Sequence, residues 1–87
     1  MHLLRSKGFT KQLKALPNSL RKQVLERLLI FSTNEFDPIL NNHSLKGKHT
    51  DSRSINVNGD YRILYRRLND ETVHLHAIGT HHQLYGK

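Results

Sequence analysis

Apolar residues follow two different periods along this chain, and the change falls near its middle. Phe9, Leu13 and Leu16 recur at three- to four-residue spacing, with Lys7, Lys11 and Lys14 on other faces, which predicts a first helix. Ser6 suits its N-cap, and Pro17 ends it by disfavouring helical geometry at Leu16. Leu20, Val24, Leu28 and Phe31 form the stripe of a second helix, widened by Leu25 and Leu29 and capped by Asn18 or Ser19. "NEFDP" stops it. A tight Pro-Asn turn makes the two a helical hairpin. The leading "HLLR" fits a short strand.

After the polar loop "ILNNHSLKGKHTDS" the period becomes two. "RSINV", "YRILYRR" and "TVHLHAIG" read as strands, joined by turns at "NGD" and "NDE". Simple alternation puts Ile55, Val57, Tyr61, Ile63, Tyr65, Val73, Leu75 and Ala77 on one face. Asn56, Arg62, His74 and His76 take the other, interrupted by Leu64 and Ile78. The expectation is an α+β fold of two layers: an N-terminal helical hairpin packed on a small antiparallel sheet. The helices would cover the apolar face and leave the polar face, beside a basic loop, for function.

Length and composition narrow this picture. Residues 1–87 suit one domain with one modest core. There is no cysteine, hence neither a disulfide framework nor a thiolate metal site. "MHLLRSKGFTKQLK" lacks the apolar run of a signal peptide, and nothing approaches the ~20 apolar residues of a membrane span. A soluble cytoplasmic protein without a membrane partner is expected. The net charge of +7 draws polyanions, nucleic acid or an acidic protein foremost.

Seven histidines raise the question of metal. His74 and His76 share a strand face, and His81 and His82 follow, but no carboxylate stands at a recognisable ligand spacing. No metal and no other cofactor is expected. Acid–base chemistry on RNA fits the composition better. Cleavage by the RNA's own 2′-hydroxyl needs a proton acceptor, a proton donor for the leaving 5′-oxygen, and cations for the phosphorane-like charge. Histidine suits the proton steps, and Arg and Lys suit the charge. His43, His49, Asp60, Arg62, His76, His81 and His82 are candidates, and composition does not choose among them.

Two motifs do. "NHSLKGKHTDSRSINVNGDYRILY" and the terminal "HLHAIGTHHQLYG" resemble the RelE/ParE superfamily of bacterial type II toxins, and most closely its YafQ branch of messenger-RNA endonucleases. The resemblance spans essentially the whole chain. "GDYRILY" marks the superfamily, whereas the His-x-Leu-Lys-Gly element paired with Gly-Thr-His-x-x-Leu-Tyr is far more discriminating. It implies a RelE-like fold and catalytic positions at His43, Asp60, His81 and Tyr85. The branch has a second histidine where this chain has Asn56 and an arginine where it has Ala77; Arg62 and His76 are the groups that would compensate. Lys46, Lys48, Arg53, Tyr61, Arg62, Arg66 and Arg67 would bind RNA.

The implied activity is cleavage of messenger RNA in the ribosomal A site, against ribosomal RNA. The implied partner is a cognate antitoxin, in a heterotetramer or larger complex. Two alternatives keep the fold: a ParE-like inhibitor of DNA gyrase, or a catalytically weakened homologue that binds only RNA or antitoxin.

Overall fold

The computed structural model describes residues 1–47 and 51–86. A strand comes first, β1 (His2–Arg5), then α1 (Lys7–Lys14) and α2 (Asn18–Thr33). A 3-10 turn (Pro38–Leu40) leads into β2 (His43–Ser44), β3 (Arg53–Asn56), β4 (Tyr61–Arg67), β5 (Thr72–Thr80) and a closing helix, α3 (His81–Tyr85). The strands form one sheet in the order β1-β5-β4-β3-β2. β2 to β5 pair antiparallel, as the alternation predicts. β1 pairs parallel with β5, so the sheet is mixed and the helical hairpin is not the first element. A parallel pair needs a long crossover, and here α1, α2 and the other three strands lie within it, with α3 following β5.

Phe9, Leu13, Val24, Leu28, Phe31 and Leu40 meet Ile55, Val57, Ile63, Tyr65, Val73, Leu75 and Ile78 in one core. Each such aliphatic or phenyl side chain contributes roughly 1.5–3 kcal/mol when fully buried. The α2 stripe is narrower than expected. Leu25 and Leu29 are 53% and 70% exposed, because the helix meets the sheet through Val24, Leu28 and Phe31. Its N-cap is Pro17, with no side-chain cap from Asn18 or Ser19. Ser6 does cap α1, its Oγ accepting the Phe9 N–H at 2.9 Å.

One irregularity shapes the sheet. Leu64 pairs with Ala77 and Tyr65 with Leu75, so His76 is an extra residue in β5. This bulge reverses the side-chain parity beyond it. Ile78 therefore faces the core opposite Ile63, and Ala77 lies with Leu64 on the other face, the opposite of simple alternation. α1 satisfies the backbone groups beside the bulge. Ser6 Oγ donates to the His76 carbonyl at 3.2 Å, and the Ile78 N–H donates to Gln12 Oε1 at 2.9 Å. The helix takes over that edge of β5 where β1 stops at Arg5. Among the described residues no helix is long and apolar enough to cross a membrane.

Candidate active site

Register fixes which side chains share the sheet face turned away from the helical hairpin. His43 lies across from Ser54, Ser54 from Leu64, and Leu64 from Ala77; in the next row Asn56 lies across from Arg62 and Arg62 from Gly79. The first row brings His43 onto this face, and the second brings Arg62.

α3 delivers the rest. The Gly-Thr pair ends the strand and opens this helix. Thr80 Oγ1 accepts the Gln83 N–H at 3.1 Å while Gln83 Oε1 accepts the Thr80 N–H at 2.9 Å, a complete capping box. Gly79 makes room for it: a Cβ there would stand 2.9 Å from Gln83 Oε1. Gly86 ends the helix at φ 73°, the left-handed C-cap that glycine adopts without cost. His81 and Tyr85 are one turn apart and therefore on one side, with ring centroids 4.5 Å apart and the planes edge to face. Leu84 points elsewhere, into a groove shared with Gln12, Leu16 and Tyr61.

His43, Lys46, Arg62, His81 and Tyr85, with Asn41 and Leu45, line one cavity of about 340 Å³. Two imidazoles, an ammonium and a guanidinium thus converge, and among the described residues no carboxylate side chain lines the space. Such a set can move protons and hold a phosphodiester.

The model of the family described as "Bacterial toxin of type II toxin-antitoxin system, YafQ" matches residues 1–86. The chain belongs to the YafQ family of bacterial type II toxins. Its fold is that of YafQ from E. coli BL21(DE3), with 24% identity over 97% of each chain and a TM-score of 0.75. The E. coli DinJ–YafQ complex matches at 26% identity over 97% of each chain, with a TM-score of 0.68. The YoeB–YefM complex of Staphylococcus aureus shares the fold at 20% identity, covering 93% of this chain and 97% of that one, with a TM-score of 0.76. No curated protein sequence matches.

In this YafQ-family chain the remaining candidates divide. The Asp60 carbonyl accepts the His81 N–H at 3.2 Å, which ties the hairpin turn to α3, while the Asp60 side chain is exposed and does not line the cavity. Asn58 Oδ1 holds that turn by accepting from Asp60 N and Tyr61 N. Arg62 closes it from the other side by donating to the carbonyls of Asn58, Gly59 and Tyr61. Arg62 is therefore a brace as well as a cavity charge. Asn56, cross-strand from Arg62, keeps a buried Oδ1 without a hydrogen-bond partner among the described residues.

Arg66 is exposed on the same face, across from His74. The His74 and His76 rings stack with centroids 6.2 Å apart, and His76 Nε2 bonds Ser52 Oγ at 2.9 Å. His82 is exposed and outside the cavity. The structure does not bring Arg53, Tyr61 or Arg67 to this face. Their positions alternate with the core residues Ile55, Ile63 and Tyr65, which puts them on the helix side. Lys48 and His49 lie outside the described residues. Asn41 and Leu45 are cavity residues that sequence reasoning missed; the only signal was asparagine's tolerance of the left-handed conformation that Asn41 adopts, at φ 45° and ψ 50°.

Proposed function

We propose that this toxin is a ribosome-dependent endoribonuclease that cuts messenger RNA and so stops translation and growth. The observation that carries the reading is the shared cavity of His43 and His81, with Lys46 and Arg62 beside them. The RNA 2′-oxygen attacks the adjacent phosphorus, the bond to the 5′-oxygen breaks, and a 2′,3′-cyclic phosphate and a 5′-hydroxyl result. One imidazole takes the 2′-proton and the other protonates the leaving oxygen. Lys46 and Arg62 offset the charge that builds on the phosphoryl oxygens. Tyr85, set against His81, offers a ring on which a base stacks. Asp60 acts by fixing α3, and Arg66 extends the basic face.

An open cavity on so small a protein holds little of a long RNA. Binding in the ribosomal A site supplies the positioning that the chain lacks, and this places the protein in the cytoplasm. The partner is an antitoxin whose acidic segment meets the +7 surface in a heterotetramer or larger complex. The E. coli YafQ complex with DinJ supports this pairing.

Mapping message ends after induction in cells tests the reading. New 5′-hydroxyl ends in translated frames, absent with His81→Ala, are expected. Intact messages together with altered DNA supercoiling would instead identify a gyrase poison and overturn it.

A further inference from the structure

Asn42 immediately precedes the strand that His43 opens, and the two side chains lie on opposite sides of the sheet. On the helix side Asn42 is tied three ways. Its Nδ2 donates to the Tyr65 hydroxyl at 2.7 Å and to the Glu35 carbonyl at 3.0 Å, and its Oδ1 accepts from Arg53 Nε at 2.7 Å. The partners are themselves held. The Tyr65 hydroxyl donates to Glu35 Oε2 at 2.6 Å, and Arg67 pairs with the other oxygen of that carboxylate. The Arg53 guanidinium lies over the Phe36 ring, 5.4 Å from its centroid. Tyr65 is fully buried, so this network belongs to the rigid part of the fold.

On the other side stands Asn41, in the left-handed region. Its carbonyl lies 2.9 Å from His43 Nδ1. A carbonyl oxygen can only accept, so Nδ1 must carry the hydrogen. A neutral imidazole has one N–H, which leaves Nε2 with an open lone pair. His43 lines the cavity with Lys46, Arg62 and His81, so the proton-accepting nitrogen is available where the RNA would lie.

We propose that Asn42 is a positioning residue that fixes the backbone at Asn41 and His43, so that His43 keeps the Nδ1–H tautomer and its Nε2 takes the 2′-hydroxyl proton. This rests on the nuclease reading. The proton balance follows from it. The 2′-proton goes to His43 as the 2′-oxygen bonds phosphorus, and His81 gives a proton to the 5′-oxygen as that bond breaks. Arg53, Tyr65 and Glu35 would then act on a reaction that none of them touches.

Long-range nitrogen–proton NMR of the free toxin at mildly alkaline pH reads the tautomer directly. His43 is expected to carry its hydrogen on Nδ1, unlike an unconstrained histidine, which favours Nε2–H. Asn42→Ala should return His43 to mostly Nε2–H and lower kcat on programmed ribosomes by about tenfold or more, with KM nearly unchanged. Tyr65→Phe leaves Asn42 its bonds to Glu35 and Arg53 and should shift the tautomer part-way. Asn41→Gly, which keeps the left-handed carbonyl, should preserve the tautomer. If Asn42→Ala does not fold, the last two variants still decide. An Nε2–H imidazole at His43 in the native protein would overturn the proposal, as would native tautomer and kcat in folded Asn42→Ala. A native toxin that holds Nδ1–H yet cuts no message would overturn the nuclease reading and leave the tautomer lock standing.

Discussion

His81 and Tyr85 meet edge to face, one turn apart on a helix that begins where the last strand ends. The helix sets this contact, so the two rings report separately on chemistry and placement. His81→Ala is expected to slow message cleavage by about 10²–10⁴-fold, the range of a lost acid or base. Its thermal midpoint should barely move, because the side chain is exposed. Tyr85→Phe, which keeps the ring contact, should retain more activity than Tyr85→Ala. Cleavage kinetics on programmed ribosomes, with a melting curve for each variant, check both.

His82 sits beside His81 yet outside the cavity. His82→Ala should cut at close to the wild-type rate, and a chelator should leave the native protein's activity intact. Activity lost on chelation and restored by zinc would show that the adjacent imidazoles act through a metal.

Gly79 is a packing requirement for the active helix. An added methyl would stand 2.9 Å from Gln83 Oε1 and 3.4 Å from Gln83 Cβ. Gly79→Ala should push Gln83 out of the capping box, costing about 1 kcal/mol, and displace His81. Activity is expected to fall by more than the loss of stability explains. Comparing cleavage rate with denaturant midpoint separates the two effects.

Burial of the Tyr65 phenol, aided by its bond to the Glu35 carboxylate, pushes its pKa up to about 12. The fold favours the neutral phenol, so this stabilisation is complete below the ordinary tyrosine value near 10 and is lost as pH climbs from there toward 12. The loss is on the order of 2–3 kcal/mol. Tyr65→Phe should be less stable at neutral pH by about 1–2 kcal/mol, having lost bonds to Glu35 and Asn42. Its stability should then fall less steeply through the alkaline range. Chemical denaturation at several pH values measures both slopes.

Asn56 stands where the resemblance to the YafQ branch implies a histidine, and its buried Oδ1 has no hydrogen-bond partner among the described residues. An amide holds a ribose or phosphate but moves no proton. Asn56→His should fold and raise cleavage, by up to the roughly 10²–10⁴-fold worth of a positioned acid or base. An unchanged or slower rate in a folded variant would make Asn56 a positioning group in its own right.

The strands of the meander were legible because alternation is a local property; Tyr61–Arg67 is a strand with the bounds its sequence suggests. The same alternation held a warning about the cations. Arg67 follows Tyr65 by two, and Arg53 precedes Ile55 by two, so both belong to the helix side with Glu35 and Asn42 rather than to an RNA-facing surface. The bulge at His76 was not legible. The groups that satisfy its backbone, Ser6 and Gln12, lie far away in sequence, and nothing in "VHLHAIG" announces them. The cavity was half legible: the histidine motifs named His43 and His81, while Asn41 and Leu45 depend on a two-residue strand too short to show a period.

Synthesis runs from the N-terminus, and the order of strands gives that direction a consequence. β5 lies between the first strand and the rest of the sheet, and α1 docks on it through Ser6 and Gln12. None of these pairings exists until Thr72–Thr80 has been made. An emerging chain can form its helices early, but it has no completed sheet to lay them on, and pairings so distant in sequence close slowly. α3 comes later still. A ribosome translating this message therefore holds only an unassembled product until β5 and α3 have cleared the exit tunnel. On the function proposed above, an antitoxin would have that interval in which to reach the chain before its cavity exists.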